Sequence, residues 1–324
     1  MDGGVAGGEG VLVANAAQIA AAEPKVSSPV PARIRLRRWT GLAGRVAFII
    51  FVLGVLYGPL ILLAVFSFND SVIISLPWSG FTLRWYPLAW DNPVLRGALY
   101  NSIVVACVVA PCCIVIGTLM AFGLTRFRFR LRGAIGGLVG APLILPWLVI
   151  GIAALLFFAQ LQKVFSFFHL SLRTVVATQI VCTFPLVTAI VSAQLLRFER
   201  AQEEAAIDLG ASRMQVLRYV ILPHIMPAVA AAGIFAFTWS FNNFEISYFT
   251  IGFQQIFPVW VYGTLKSVKN LPIINAISTL ISGVQVVMIV IAWRILRSRG
   301  GGAEAILGGL AAEVEAPKKQ DGGA

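Results

Sequence analysis

The sequence predicts an all-α integral membrane protein with six transmembrane helices and a short helical hairpin between spans four and five. Three observations lead there. The first is composition: of 324 residues, 58% are hydrophobic and only 12% charged, with mean hydropathy +0.85, whereas a soluble domain is about half apolar and about a quarter charged. So little polar surface excludes an ordinary cytosolic enzyme and a disordered chain. The second is six continuous apolar runs, at 46–68, 99–124, 134–160, 175–196, 225–251 and 274–296. Each reaches the ~20 residues that a helix needs to cross a hydrocarbon core. None alternates like a barrel strand, and each is well beyond the ~10 residues such a strand needs. The third is where the basic residues fall. Of the 25 Lys and Arg, 19 lie in the N-terminal segment, the loops after spans two and four and the C-terminal segment, and six lie in the opposite loops. By the positive-inside rule both termini are then cytoplasmic, which suits an even number of spans.

In chain order, residues 1–44 read as a mobile cytoplasmic tail, of which 1–31 are rich in Gly, Ala and Pro, and residues 300–324 as a second tail. Between them, 45–299 forms the membrane domain, with its informative loop at 197–224. The first apolar run is too long for the core of a cleaved signal peptide and follows about 45 residues of chain. Pro59, Pro111, Pro142, Pro146 and Pro185 fall inside spans, where they kink helices and free backbone groups. The net charge of +11 follows from topology, and no basic face points to nucleic acid. The run Arg126, Arg128, Arg130 and Arg132 reads as a topology signal, with anionic membrane lipid as the alternative ligand. Cys107, Cys112, Cys113 and Cys182 lie in apolar runs without metal or disulfide spacing. His169 and His224 are isolated, so no metal site is expected.

The loop after span four is amphipathic. Glu203, Glu204, Ala205, Ala206, Ile207 and Asp208 form an acidic, alanine-rich helix. Gly210 suits a left-handed C-terminal cap. Ser212 and Gln215 form a capping box that restarts a helix, whose Val216, Leu217, Val220 and Ile221 make one apolar stripe. Pro223 is expected to stop this helix, and Pro227 to open span five. Because the hairpin is acidic, it does not look lipid-seeking, and its stripe points to a protein partner.

Glu204-Ala205-Ala206, Gly210 and Val220-x-Leu222-Pro223 at these spacings resemble the EAA loop of ABC importer permeases, with Val220 in place of the usual Ile. Over roughly 45–296 the resemblance extends to Phe66-Ser67-Phe68-Asn69, Gly80-Phe81-Thr82-Leu83-Arg84-Trp85-Tyr86 and Phe127-Arg128-Phe129-Arg130. These are similar to permeases of the spermidine/putrescine group. The resemblance implies a coupling helix seated in a cleft of a cytoplasmic ATPase. Glu204 would pair with a basic residue there, Ala205 and Ala206 would permit close helix approach, and Gly210 would make the turn; Asp208, Leu222 and Pro223 complete the set. It also implies two ATPase subunits carrying ATP and magnesium, a second permease chain (a homologue or a copy) and a periplasmic binding protein that delivers polyamines or another small organic cation. No Gly-Lys dipeptide occurs, so the chain has no phosphate-loop signature of its own.

Glu245 is the one acid inside an expected span, and an intramembrane ionisable group is by default a functional candidate. On a helix Trp239, Asn242 and Glu245 or Ile246 share a face; with Asn243, the residues Trp239, Asn242 and Glu245 form a candidate cation path, using charge and cation–π contact. Interfacial or packing roles are the alternative for Glu245. The resembling polyamine permeases carry acids near 242 and 243, where this chain has Asn. Trp78, Phe81, Trp85, Tyr86, Trp90, Phe257, Trp260 and Tyr262 suit an interfacial aromatic belt or a docking surface for the binding protein. A stand-alone transporter or channel would need several intramembrane charges or a repeat, and a membrane enzyme clustered His, Asp or Ser/Lys groups. Neither pattern is present.

Overall fold

A computed structural model describes residues 32–72, 78–266 and 271–298. Its helices are α1 (Ala32–Phe66), α2 (Trp85–Asp91), α3 (Pro93–Arg126), α4 (Arg132–Ile144), α5 (Trp147–Val164), α6 (Leu172–Arg197), α7 (Arg200–Asp208), α8 (Arg213–Val216), α9 (Leu222–Phe241), α10 (Glu245–Thr250), α11 (Phe257–Thr264) and α12 (Leu271–Ser298). Six stretches among the described residues are long and apolar enough to cross a membrane. The only β pairing described is an isolated bridge between Asn69 and Phe81. Residues up to Ile61 form one unit and those from Leu62 onward a second. Residues 32–44, expected as tail, are helical, whereas 1–31 and 299–324 lie outside the described residues.

Two expected spans are broken. The run 134–160 divides at Leu145 and Pro146 into α4 and α5, because Pro146 has no N–H to continue the ladder and biases Leu145 to its extended conformation (ψ 140). The run 225–251 ends as a helix at Phe241, turns through Asn242–Phe244 and resumes as α10.

The second unit is organised around α3, α6 and α9. Asn92 caps α3 by accepting from the N–H groups of Val94 and Leu95 at 3.0 and 3.1 Å, and Pro93 occupies the first turn, where its missing donor costs nothing. Leu95, Ala98, Ser102, Val105, Val109, Cys113, Gly117, Ala121 and Thr125 are buried along one face, at the three-to-four spacing of a helix stripe. Lipid tails are as apolar as these side chains, so packing rather than water exclusion holds the helices, and small residues set the approach. A Cβ on Gly117 would sit 2.7 Å from Val187 Cβ on α6, and one on Gly151 of α5 would sit 2.9 Å from the Glu245 carbonyl oxygen. At 34 residues and 1.5 Å per residue, α3 is about 50 Å long, which exceeds a ~30 Å hydrocarbon core. Its final turn therefore projects to the hairpin.

The two motif segments before α3 pack on each other. Thr82 N–H donates to the Phe68 carbonyl at 2.8 Å and Asp70 N–H to Gly80 at 2.9 Å. Trp85 Nε1 donates to the Asn69 carbonyl at 2.9 Å, and Phe68 stacks on Phe81. The buried Trp85 is thus a structural anchor, and Phe257 and Trp260 are buried as well rather than facing outward as a belt or docking surface would need, while Trp78, Phe81 and Trp90 are exposed.

Candidate functional site

The expected hairpin forms. Helix α7 ends at Asp208 with Leu209 as its C-cap, Gly210 takes φ +88, Ala211 N–H donates to Ala206 at 3.0 Å and Gly210 N–H to Ile207 at 2.8 Å. This is a Schellman cap, which satisfies the last carbonyls of α7 and needs a left-handed residue at position 210. Ser212 and Gln215 then exchange two hydrogen bonds, Ser212 N–H to Gln215 Oε1 at 2.7 Å and Gln215 N–H to Ser212 Oγ at 3.3 Å. That capping box starts α8.

Two expectations for this loop are corrected. Pro223 does not stop the second helix, and Pro227 does not open span five: 213–241 is one continuous helical stretch that widens into a π turn at Leu217–Ile221. In a regular α-helix the ring of Pro223 would collide with the carbonyl of Tyr219, and the wider turn relieves that crowding. The apolar stripe is also not free for a partner. Val216 and Ile221 are buried, and Leu217, Val220, Leu222, Ala206 and Ala211 pack on the same core as Leu195, Phe198 and Ala121. What faces outward is a row that the stripe did not include. Leu209 is 89% exposed, Met214 and Tyr219 69%, and Ile207 49%. Glu204, Ala205 and Asp208 are exposed beside them, and neither acid has a described ion-pair partner. Of the two alanines, only Ala206 serves close packing within the chain. Leu209 was legible only as the residue before the turn glycine; its full exposure depends on the cap geometry.

The base of the hairpin carries further residues that the motif does not contain. Arg126 Nη2, at the end of α3, meets Glu203 Oε1 at 2.5 Å, with the side chains only 14% and 20% exposed. The Arg126 guanidinium lies 5.7 Å over the ring of buried Phe198, whose other neighbour is the His224 ring at 4.7 Å. Arg200 Nη2 donates to the Thr125 carbonyl at 3.4 Å. His224 lies in the first turn of α9, and its side-chain nitrogen is 3.2 Å from that of Gln194 on α6.

The break in span five overturns the shared face of Trp239, Asn242 and Glu245. Trp239 lies on α9, Asn242 ends it, Asn243 is buried in the turn, and Glu245 opens α10, exposed. Glu245 is therefore not an acid in the middle of a continuous span. The turn is stitched to α6 by Gln179, which accepts from Ser240 Oγ at 2.5 Å and donates to Ser247 Oγ at 2.9 Å; Thr174 Oγ1 donates to the Thr250 carbonyl at 2.7 Å. Buried polar groups at such a turn require internal partners. Asn243 Oδ1 is buried and unpartnered among the described residues. Helix α5 links the candidate path residues by another route. Trp147 lies against Trp239 at 5.1 Å, and Gly151, one turn on, lies against the backbone of Glu245. An apolar cavity of about 520 Å³ opens elsewhere, lined by α2, α3, α9 and α12 and including Tyr86, Phe237, Phe241 and Gln285. None of Trp239, Asn243 and Glu245 lines it.

A helical hairpin with an EAA pattern, projecting from a bundle of spans, is the arrangement expected of an importer permease. The family model described as binding-protein-dependent transport system inner membrane component matches residues 113–298. The chain belongs to that family of ABC importer permeases. The permease is 34% identical over 259 residues to the spermidine/putrescine transport system permease protein PotC of Escherichia coli (strain K12), covering 80% of this chain and 96% of that one. It is 30% identical to the putrescine transport system permease protein PotI of the same strain, over 78% and 90% of the two chains. A crystal structure of a bacterial ABC transporter involved in the import of the acidic polysaccharide alginate shares its fold, with TM-score 0.65 and 16% identity over 82% of this chain and 98% of that one. The MetNI methionine ABC transporter, inward facing, gives TM-score 0.51 and 19% identity over 66% and 99%. The permease is thus a multi-pass inner-membrane protein.

Proposed function

We propose that this permease carries polyamines of the spermidine/putrescine type, handed over by a periplasmic binding protein, and that ATP is hydrolysed by two separate subunits, one docked on the 200–216 hairpin. A second permease chain completes the pathway, and both termini are cytoplasmic. The observation that carries this reading is the division of the hairpin into two faces. One face packs on the permease core, while Ile207, Leu209 and Met214 stand exposed beside Glu204 and Asp208, neither of which has an ion-pair partner among the described residues. An exposed apolar row rimmed by acids suits a partner cleft with basic edges. The cargo reading draws on the names of the two Escherichia coli relatives. Along the path, Trp239 and Glu245 with Trp147 would meet the cation, and Asn242 and Asn243 would supply uncharged polar contacts.

Leu209→Asp and Glu204→Lys are expected to reduce recovery of the ATPase with the purified permease. Burial of one Leu is worth ~2 kcal/mol, so the Leu209 variant should bind at least about tenfold more weakly. Unchanged assembly and uptake in both would refute docking at the hairpin. For the cargo, radiolabelled spermidine and putrescine are offered to vesicles containing the whole importer. The Asn residues at 242 and 243 favour, as second reading, a different small organic cation, and that reading takes over if neither polyamine enters.

A further inference from the structure

The ion pair at the hairpin base is mostly buried, unlike the exposed row of the hairpin, and it joins two elements far apart in sequence. We propose that Arg126 and Glu203 form a strut that makes the hairpin and the end of α3 one mechanical body, so that hairpin displacement reaches α3 directly. The inference rests on the docking role of the hairpin and adds a route for the force.

By chain connection the hairpin leads only into α6 and α9. The connection to α9 passes through the π turn at Leu217–Ile221, beside Pro223, which lacks an N–H. Wide turns with missing bonds are the places where helices bend. A tilt imposed at Leu209 would be partly absorbed there before it reached span five. The strut bypasses that soft segment. Arg126 is in the last turn of α3 and Glu203 in the first turn of α7, and the contact is mostly buried. Arg126 Nε and Nη2 and Glu203 Oε1 are buried without a hydrogen-bond partner among the described residues, so the close charge contact between Arg126 and Glu203 is the principal compensation for both groups. Such a pair resists separation because either partner alone would be a poorly solvated charge. Phe198 packs against the guanidinium, and Arg200 adds a second tie to Thr125. The tie therefore enters α3, whose long packed face lies against α6 and α9.

The test uses the whole importer in proteoliposomes and reads solute imported per ATP hydrolysed, alongside the amount of assembled complex. Glu203→Gln and Arg126→Gln should assemble as the parent does and still hydrolyse ATP. Loss of a coupling interaction of this kind should lower import per ATP by at least about fivefold. The exchange Arg126→Glu with Glu203→Arg should recover at least half of the parent ratio. In case the charge variants fold poorly, Arg126→Cys with Glu203→Cys is made in a chain whose four native cysteines are replaced by alanine. A short thiol-cleavable cross-linker should then give coupled import, and cleaving it should uncouple the same folded protein. A parent-like ratio in both single variants, no recovery in the exchange, or a ratio indifferent to cross-linking overturns the strut. Failure of the hairpin reading looks different: Leu209→Asp would then leave assembly intact.

Discussion

Gly210 and Gly117 are both glycines because of geometry, but the geometries differ. At φ +88 Gly210 sits where a Cβ is unfavourable by ~1–2 kcal/mol, although the space around it is open. Gly210→Ala should therefore destabilise the hairpin by about 1 kcal/mol without altering the bundle. Faster amide exchange confined to residues 205–216 would report it, and unchanged exchange would contradict the left-handed cap. Gly117 is helical, and its constraint is Val187 on the neighbouring helix. Gly117→Val should cost about 1–3 kcal/mol by overpacking, seen as a lower unfolding temperature in detergent. Gly123→Val is the control, because nothing lies within 4 Å of its Cβ position, and it should leave that temperature nearly unchanged. In sequence these glycines look alike among 30; only the spacing of Gly210 from Glu204 and Pro223 marked it beforehand.

For the elements, the hairpin was legible and the breaks were not. Ser212 and Gln215 are local signals three residues apart, and local hydrogen bonds need no tertiary context. Ser212→Ala should lower stability by about 1 kcal/mol, read as loss of amide protection at 213–216; protection equal to the parent would show that the cap is dispensable. The end of α9 at Phe241 had no such signal. Asn242 and Asn243 are tolerable within a helix, and the turn is held by Gln179, some sixty residues earlier. Gln179→Leu leaves Ser240 and Ser247 without this partner. With bonds of this kind worth about 0.6 kcal/mol each in membrane proteins, roughly 1 kcal/mol of stability should be lost, measured by unfolding in detergent. The Asn243 amide is buried in the same turn. The shared face of Trp239, Asn242 and Glu245 failed for the same reason, since periodicity presumes a continuous helix. What remains of the candidate path is held by α5, through Trp147 and Gly151, neither of which any motif marked.

At the scale of the whole molecule, orientation is the sharpest expectation. Single cysteines at Gly210 and Arg130 should react with an impermeant thiol reagent only in inverted vesicles, and a cysteine at Phe253 only in right-side-out cells. The reverse pattern would overturn the positive-inside reading, which rests on 19 of 25 basic residues. By itself, the sequence determined the membrane class, the six spans and the existence, caps and family of the hairpin. Apolar run length and short-range capping act locally, so their consequences can be read residue by residue. Only the tertiary structure decided which hairpin face is spent on packing, where spans three and five break, and that Arg126 meets Glu203. Those outcomes depend on atoms brought together from distant parts of the chain, where close packing and the need to satisfy buried polar groups, rather than periodicity, select the arrangement.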